Sequence, residues 1–192
     1  MATTRRIALF GGTFDPVHLG HLRIAELAKN GLHLDQVRFL PCRISPHKTD
    51  RPPTSADHRL EMLRLALAET PWAVADDYEL RIPPPSYSYL TAEAMRQRHP
   101  EARLFWLMGL DQWEALPGWR EPERLAAVVE FIVFDRDGRP NPRPGMTLHH
   151  LQGNHPASAS EIRESCRDGQ LRTDWLPSPL ATYIEQQGLY SD

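Results

Sequence analysis

Lysine and cysteine are scarce in this chain of 192 residues, and long apolar runs are missing. The two cysteines, Cys42 and Cys166, lie far apart and outside any C-x-x-C spacing. That excludes a disulfide framework and a thiolate zinc site, and it suits a reducing compartment. No apolar stretch approaches the ~20 residues of a membrane span, and the first residues lack the apolar core of a signal peptide. The expectation is a soluble, cytoplasmic protein that does not engage a membrane. Charge of one sign is lacking too. With a formal net charge of −3, no basic footprint offers itself to a nucleic acid or an anionic surface.

Proline and arginine are plentiful. The 18 prolines cluster at Pro52-Pro53, Pro83-Pro84-Pro85 and Pro140/Pro142/Pro144, where they break elements and stiffen loops. Arginine supplies nearly all the positive charge, because Lys29 and Lys48 are the only lysines. The length fits one domain, and hydrophobic (41%) and charged (24%) fractions are those of a globular chain.

Periodicity predicts alternating strands and helices. Short apolar strands are expected at residues 5–10, 36–40, 72–75, 103–108, 130–135 and 148–151. Helices are expected at about 19–30, 55–69, 88–99, 111–116, 122–128, 160–168 and 179–187. Apolar strands separated by helices imply a parallel sheet covered on both faces. The predicted fold is α/β: a Rossmann-like, doubly wound parallel sheet over about residues 1–152, with a small helical C-terminal cap over about 153–192, in a single domain. Ligands of such folds bind beyond the carboxyl ends of the strands, at the topological switch point. The segments after the first, second, fourth and last strands therefore matter most.

After the first strand comes G-G-T-F-D-P-V-H-L-G-H, residues 11–21. The glycine pair lets backbone N–H groups approach an anion, and the following helix offers its positive end. The segment is neither G-x-G-x-x-G nor a P-loop. His18 and His21, three apart at a helix start, put two imidazoles on one face, which suits a triphosphate. A bare H-x-x-H is equally compatible with a structural pair or a metal, although a zinc site would need further ligands at a spacing of their own. S-A-S-E-I-R at residues 158–163 is a helix N-terminus with Ser158 or Ser160 as cap and Arg163 a turn later. Trp72 and Trp106 are expected in the core. Trp119, in a Pro-Gly-Trp-Arg turn, offers a flat ring for stacking.

The eleven-residue segment resembles the (T/H)-x-G-H signature of the nucleotidyltransferase superfamily, and S-A-S-E-I-R matches its S-x-[ST]-x-x-R motif. S-P-H-K at 45–48, P-S-Y-S at 85–88, G-L-D at 109–111, P-G-W at 117–119 and the tail Y-I-E-Q-Q-G-L-Y resemble, within that superfamily, the bacterial nicotinate-nucleotide adenylyltransferases. The resemblance implies a nucleotidyltransferase fold and transfer of AMP from ATP to nicotinate mononucleotide in NAD biosynthesis, with pyrophosphate released.

It implies that His18, His21, Lys48 and Arg163 act on the ATP phosphates. Gly11, Gly12, Thr13, Phe14, Gly109, Asp111, Ser158 and Ser160 would line the rest of the ATP site. Asp15, Ser86, Tyr87, Ser88, Trp119 and Arg120 would bind nicotinate mononucleotide. There Trp119 stacks on the ring, and backbone N–H groups near Tyr87-Ser88 and Trp119-Arg120 hold the carboxylate. Mg2+ would ride mainly on the ATP phosphates, with no protein metal site. The residues Cys42-Arg43 and Ser88 depart from the family pattern, so no subsite falls to the former. Related readings are adenylyl transfer to the nicotinamide mononucleotide or to phosphopantetheine, or nucleotide binding without turnover. Oligomeric state, including a homo-oligomer, stays open.

Overall fold

The segment R-I-A-L-F-G-G is apolar on both faces because it becomes a central strand of a sheet covered on both sides. This strand, β1 (Arg6–Gly12), pairs in parallel with β2 (Gln36–Pro41) on one edge and β4 (Arg103–Gly109) on the other. Adding β3 (Ala73–Ala75), β5 (Glu130–Asp135) and β6 (Leu148–Gln152) gives six parallel strands in the order β3-β2-β1-β4-β5-β6. The structure is a computed structural model that describes residues 4–43, 52–153 and 155–191.

Side chains alternate across the sheet, as the two-residue strand period demands. Ala8, Phe10, Phe39, Phe105 and Leu107 face one layer, made by α1 (Leu19–Gly31), α2 (Ala56–Leu67), α7 (Ala159–Arg167) and α8 (Ser178–Gln186). Ile7, Leu9, Leu104, Trp106 and Val133 face the other, made by α4 (Ser88–Arg98), α5 (Leu110–Ala115) and α6 (Pro122–Ala126). The strand order reverses between β1 and β4, so the crevice where such sheets bind ligands opens at the carboxyl ends of those two strands.

One element was not expected from the sequence, and two expected ones gain detail. A four-residue helix, α3 (Tyr78–Arg81), follows β3; it is too short to show a helical period. Strand β6 is a half-exposed edge strand, L-H-H-L-Q. Its His149 and His150 reach Glu130 and Asp135 on β5, so its polar pattern reflects cross-strand pairing. The helical C-terminal cap is packed onto the sheet: Ile162, Leu180, Ala181 and Ile184 share a core with Phe10 and Phe39.

Arg59 on α2 joins this frame to the loops above it. Its side chain is buried, with 1% exposure, and its guanidinium donates to the carbonyls of Thr13 (2.8 Å), Cys42 (2.7 Å), Thr54 (2.8 Å) and Arg43 (3.3 Å). The loops after β1 and β2 are thereby tied to one fixed cation. Arg59→Met would fill similar volume while leaving these carbonyls without donors, at about 1–3 kcal/mol for each buried group. With four carbonyls affected, we predict a fall in melting temperature of about 8 °C or more for a chain of this size, measured by thermal denaturation. An unchanged melt would contradict the tie.

Candidate active site

The turn between β1 and α1 is built by excluding side-chain volume. A Cβ on Gly11 would lie 3.2 Å from the Trp106 ring, and one on Gly12 would lie 2.9 Å from the Phe14 ring. Phe14 adopts a left-handed backbone, φ 50°, a conformation that costs a non-glycine residue about 1–2 kcal/mol. Offsetting contacts surround its ring, whose centroid lies 5.5 Å from Phe10, 5.6 Å from Phe39 and 5.1 Å from His21. The Asp15–Pro16 bond that follows is cis.

The chain then enters α1 with His18 in the capping position. The backbone N–H of His18 donates to Nδ1 of His21 (3.3 Å), and its carbonyl accepts from the His21 N–H (2.9 Å). A neutral His21 therefore carries its proton on Nε2. The two imidazoles lie 3.8 Å apart at 33°. His18 is buried, with 7% exposure, and its Nδ1 has no partner among the described residues. Burial, with a smaller contribution from the neighbouring His155, brings its pKa down to about 4. Gly20 makes this possible: a Cβ there would lie 2.9 Å from Nδ1 of His18 and 3.4 Å from Nδ1 of His155. No acidic residue occupies the first turn of α1, so the positive end of the helix is left for an anion.

Asp15 gathers the neighbouring segments. Its carboxylate accepts from the Thr54 backbone N–H (3.1 Å) and from the Tyr190 hydroxyl (2.7 Å), and its carbonyl accepts from the Arg163 guanidinium (2.6 Å). Arg163 also donates to Ser160 Oγ at 3.3 Å, while Ser158 caps α7 by accepting from the Glu161 N–H at 3.5 Å. The S-x-S-x-x-R residues thus stand beside the loop of the two histidines.

Across the crevice, β4 ends at Gly109, where a Cβ would lie 2.6 Å from the Asp111 carboxylate. The carboxylate folds back over the strand end. Helix α4 starts after Tyr87 with neither a side-chain cap nor an acidic first turn, which leaves its N-terminal amides open. Ser86 is buried, the Arg120 guanidinium lies 5.1 Å from the Tyr87 ring centre, and Trp119 and Tyr87 pack on the same core. The Trp119 amide itself is taken by the Leu116 carbonyl (3.0 Å), so that N–H is not open for a ligand carboxylate. Below lies Glu79, 4% exposed, which accepts from the Thr91 hydroxyl at 2.7 Å. Burial pushes its pKa up to about 7.

The structure gathers His18, His21, Arg163, Ser160 and Gly11–Asp15 on one side of the crevice and Ser86–Ser88, Trp119 and Arg120 on the other. Gly109 and Asp111 stand at the end of β4. Lys48, and the S-P-H-K segment with it, lies outside the described residues. Cys42 is buried and its thiol is pushed up by that burial, in keeping with an unreactive role. Sequence reasoning missed His155, Arg59, Glu79 and Tyr190. Tyr190 alone carried a signal, as the last residue of the recognised tail.

A cytidylyltransferase-like family model matches residues 9–165. The chain is 37% identical over 185 residues to a probable nicotinate-nucleotide adenylyltransferase of Geobacillus thermodenitrificans, covering 96% of this chain and 86% of that one. It is 34% identical over 186 residues to the nicotinate-nucleotide adenylyltransferase of Bacillus subtilis, covering 97% and 98%. Among solved structures, the Plasmodium falciparum nicotinic acid mononucleotide adenylyltransferase complexed with NaAD superposes with a TM-score of 0.77 at 18% identity, covering 97% of each chain.

The buried imidazole predicts a pH signature. The folded-state pKa of His18, about 4, lies below the ordinary value of about 6.5, so the unfolded chain binds the proton more readily. Stability is lost as pH falls from about 6.5 toward 4, by about 2 kcal/mol from this group between pH 7 and pH 5. In urea titrations His18→Asn should lose that much less than the wild type over the interval. Equal losses would contradict a neutral, buried His18.

Proposed function

The chain belongs to the cytidylyltransferase-like family and, within it, to the nicotinate-nucleotide adenylyltransferases, and on that premise we propose how its site performs the reaction. It is an enzyme that transfers AMP from ATP to nicotinate mononucleotide, giving the deamido form of NAD and pyrophosphate in NAD biosynthesis. A 5′-phosphate oxygen of the mononucleotide attacks the α-phosphorus of ATP. A new P–O bond forms there while the bond from that phosphorus to the α,β-bridging oxygen breaks, and pyrophosphate leaves with the electron pair. The nucleophile is already an anionic oxygen, so the protein needs no general base and no covalent intermediate. Its work is to hold two anions in line and balance charge on the leaving group.

The observation that carries this reading is the His18–His21 pair, with ring centres 3.8 Å apart at the start of α1, whose first turn holds no acidic residue, at the switch point of the sheet. His21 offers Nε2–H to the triphosphate, and His18 gives the anion a buried imidazole. Gly11, Gly12, Thr13 and Phe14 bring backbone groups near the phosphates, and Arg163, with Ser158 and Ser160, supplies the cation from α7. Lys48, from the segment outside the described residues, adds a second. Gly109 and Asp111 receive the adenosine. On the far side the open amides of α4 at Ser88 take the nicotinate carboxylate, Trp119 stacks on the ring, and Ser86, Tyr87 and Arg120 form the surrounding wall. Asp15 closes the floor between the two substrates.

A divalent cation, Mg2+, fits this site as a passenger of ATP. Both carboxylate oxygens of Asp15 are engaged by protein donors, and among the described residues no group of three or more imidazole, thiol or carboxylate side chains is placed to enclose a metal. The ion would be held by phosphates and water and would neutralise charge on the triphosphate. The substrates are small molecules, and no helix among the described residues is long and apolar enough to cross a membrane. With two cysteines left as free thiols, we place the enzyme in the cytoplasm.

Pyrophosphate release measured with ATP and each of nicotinate mononucleotide, the nicotinamide mononucleotide and phosphopantetheine tests the assignment. The acid form should be turned over best. Preference for phosphopantetheine, or ATP binding without pyrophosphate release for any acceptor, would overturn it. His18→Ala and His21→Ala should each lower kcat by about 100-fold or more with the fold retained by circular dichroism, and wild-type turnover in either would remove the phosphate role. Trp119→Ala should raise KM for the mononucleotide by about 3–10-fold with little change in KM for ATP.

A further inference from the structure

We infer that Tyr190 is a positioning residue of this site, acting through the Asp15 carboxylate to fix the loop that holds the triphosphate end of ATP. The tail after α8 comes back to the β1–α1 loop across 175 positions of sequence, where the Tyr190 hydroxyl donates to Asp15 Oδ1 at 2.7 Å. The other oxygen, Oδ2, accepts from the Thr54 backbone N–H at 3.1 Å, and the Asp15 carbonyl accepts from Arg163 at 2.6 Å. One residue therefore meets three remote segments: the start of α2, the S-x-S-x-x-R helix and the tail. Asp15 stands three residues before His18. Its orientation sets how the chain enters α1 and where the Arg163 guanidinium rests.

Packing alone does not account for the contact. The hydroxyl also lies 3.8 Å from the Met62 sulfur, and the tail residues Leu189 and Tyr190 pack on the core beneath the loop, as any apolar ring would. Yet Tyr190 takes a left-handed backbone, φ 66°, uncommon for a bulky residue and costly by about 1–2 kcal/mol. The bond to a carboxylate belongs to the stronger, charge-assisted kind. Burial and the facing carboxylate push the phenol well above its ordinary pKa, so it remains a donor throughout the working range. A phenylalanine would fill the core as well but would leave Asp15 with one partner fewer.

The direction of the kinetic effect rests on the adenylyl-transfer reading, whereas the geometric claim is testable without it. The experiment measures kcat with both substrates saturating, calorimetric affinity for a non-hydrolysable ATP analogue, and melting temperature, in the full-length chain. Tyr190→Phe should lower kcat about tenfold and weaken analogue binding severalfold, the loss of one hydrogen bond to a charged group, while the melt moves by only a few degrees. Asp15→Asn, which weakens the same bond from the other end, should have a similar effect, and the double variant should be little worse than either alone. Tyr190→Leu should add a larger fall in melting temperature. If Tyr190→Phe keeps wild-type kcat and analogue affinity, the ring serves packing only and the inference fails. Strictly multiplicative losses in the double variant would show that Tyr190 does not act through Asp15. If the wild type released no pyrophosphate, the adenylyl-transfer reading would fall, and analogue affinity in the same variants would still decide the role of Tyr190.

Discussion

A helix N-terminus must be brought against the carboxyl end of a central strand without filling the space between them. Much of this molecule follows from that constraint. Gly11, Gly12 and Gly20 each stand where a Cβ would strike a ring within 3.2 Å, so the turn between β1 and α1 packs closely against the rings that wall it. The strand order turns at the same place, between β1 and β4, and the same opening receives the ends of Gly109 and α7. The loop is not held by its own short bonds. It is pinned from outside by Arg59 below, Arg163 beside it and Tyr190 from the tail.

Electrostatically the site waits for charge instead of carrying it. His18 is buried and neutral near pH 7, and the first turns of α1 and α4 hold no acidic residue. In the proposed reaction, backbone dipoles, two imidazoles and a few arginines would suffice for a triphosphate accompanied by its own cation. A chain with net charge −3 can therefore handle two polyanionic substrates without a basic surface. At the other side of the crevice Glu79, raised to about 7, works with the opposite sign. Its folded pKa exceeds the unfolded one, so its contribution to stability is present at low pH and is lost as pH climbs through 7.

Much of the fold was legible because its signals are local. The strands stand out as short apolar runs and the long helices show a 3.6-residue period over enough residues to be read, and the parallel sheet follows from their alternation. Helix α3, at four residues, is shorter than any period, and the edge strand β6 hides its role because His149 and His150 are polar to suit partners on β5. In the site, G-G-T-F-D-P-V-H-L-G-H was readable because one short segment supplies glycines, helix start and both imidazoles. Arg59 was not, since its four carbonyl partners lie on loops up to 46 residues away, and an arginine on an amphipathic helix looks like a surface residue. His155 and Glu79 were hidden for the same reason: their meaning depends on burial and on neighbours brought in by the fold.

The central claim is that this chain transfers the adenylyl group in one in-line step by positioning and charge, with no covalent link to the protein. Stereochemistry at phosphorus tests it most directly. ATP made chiral at the α-phosphorus by a thiophosphate substitution, reacted with nicotinate mononucleotide, should give a dinucleotide with inverted configuration at that atom. Retention would mean two displacements through an enzyme-bound adenylate and would contradict the account.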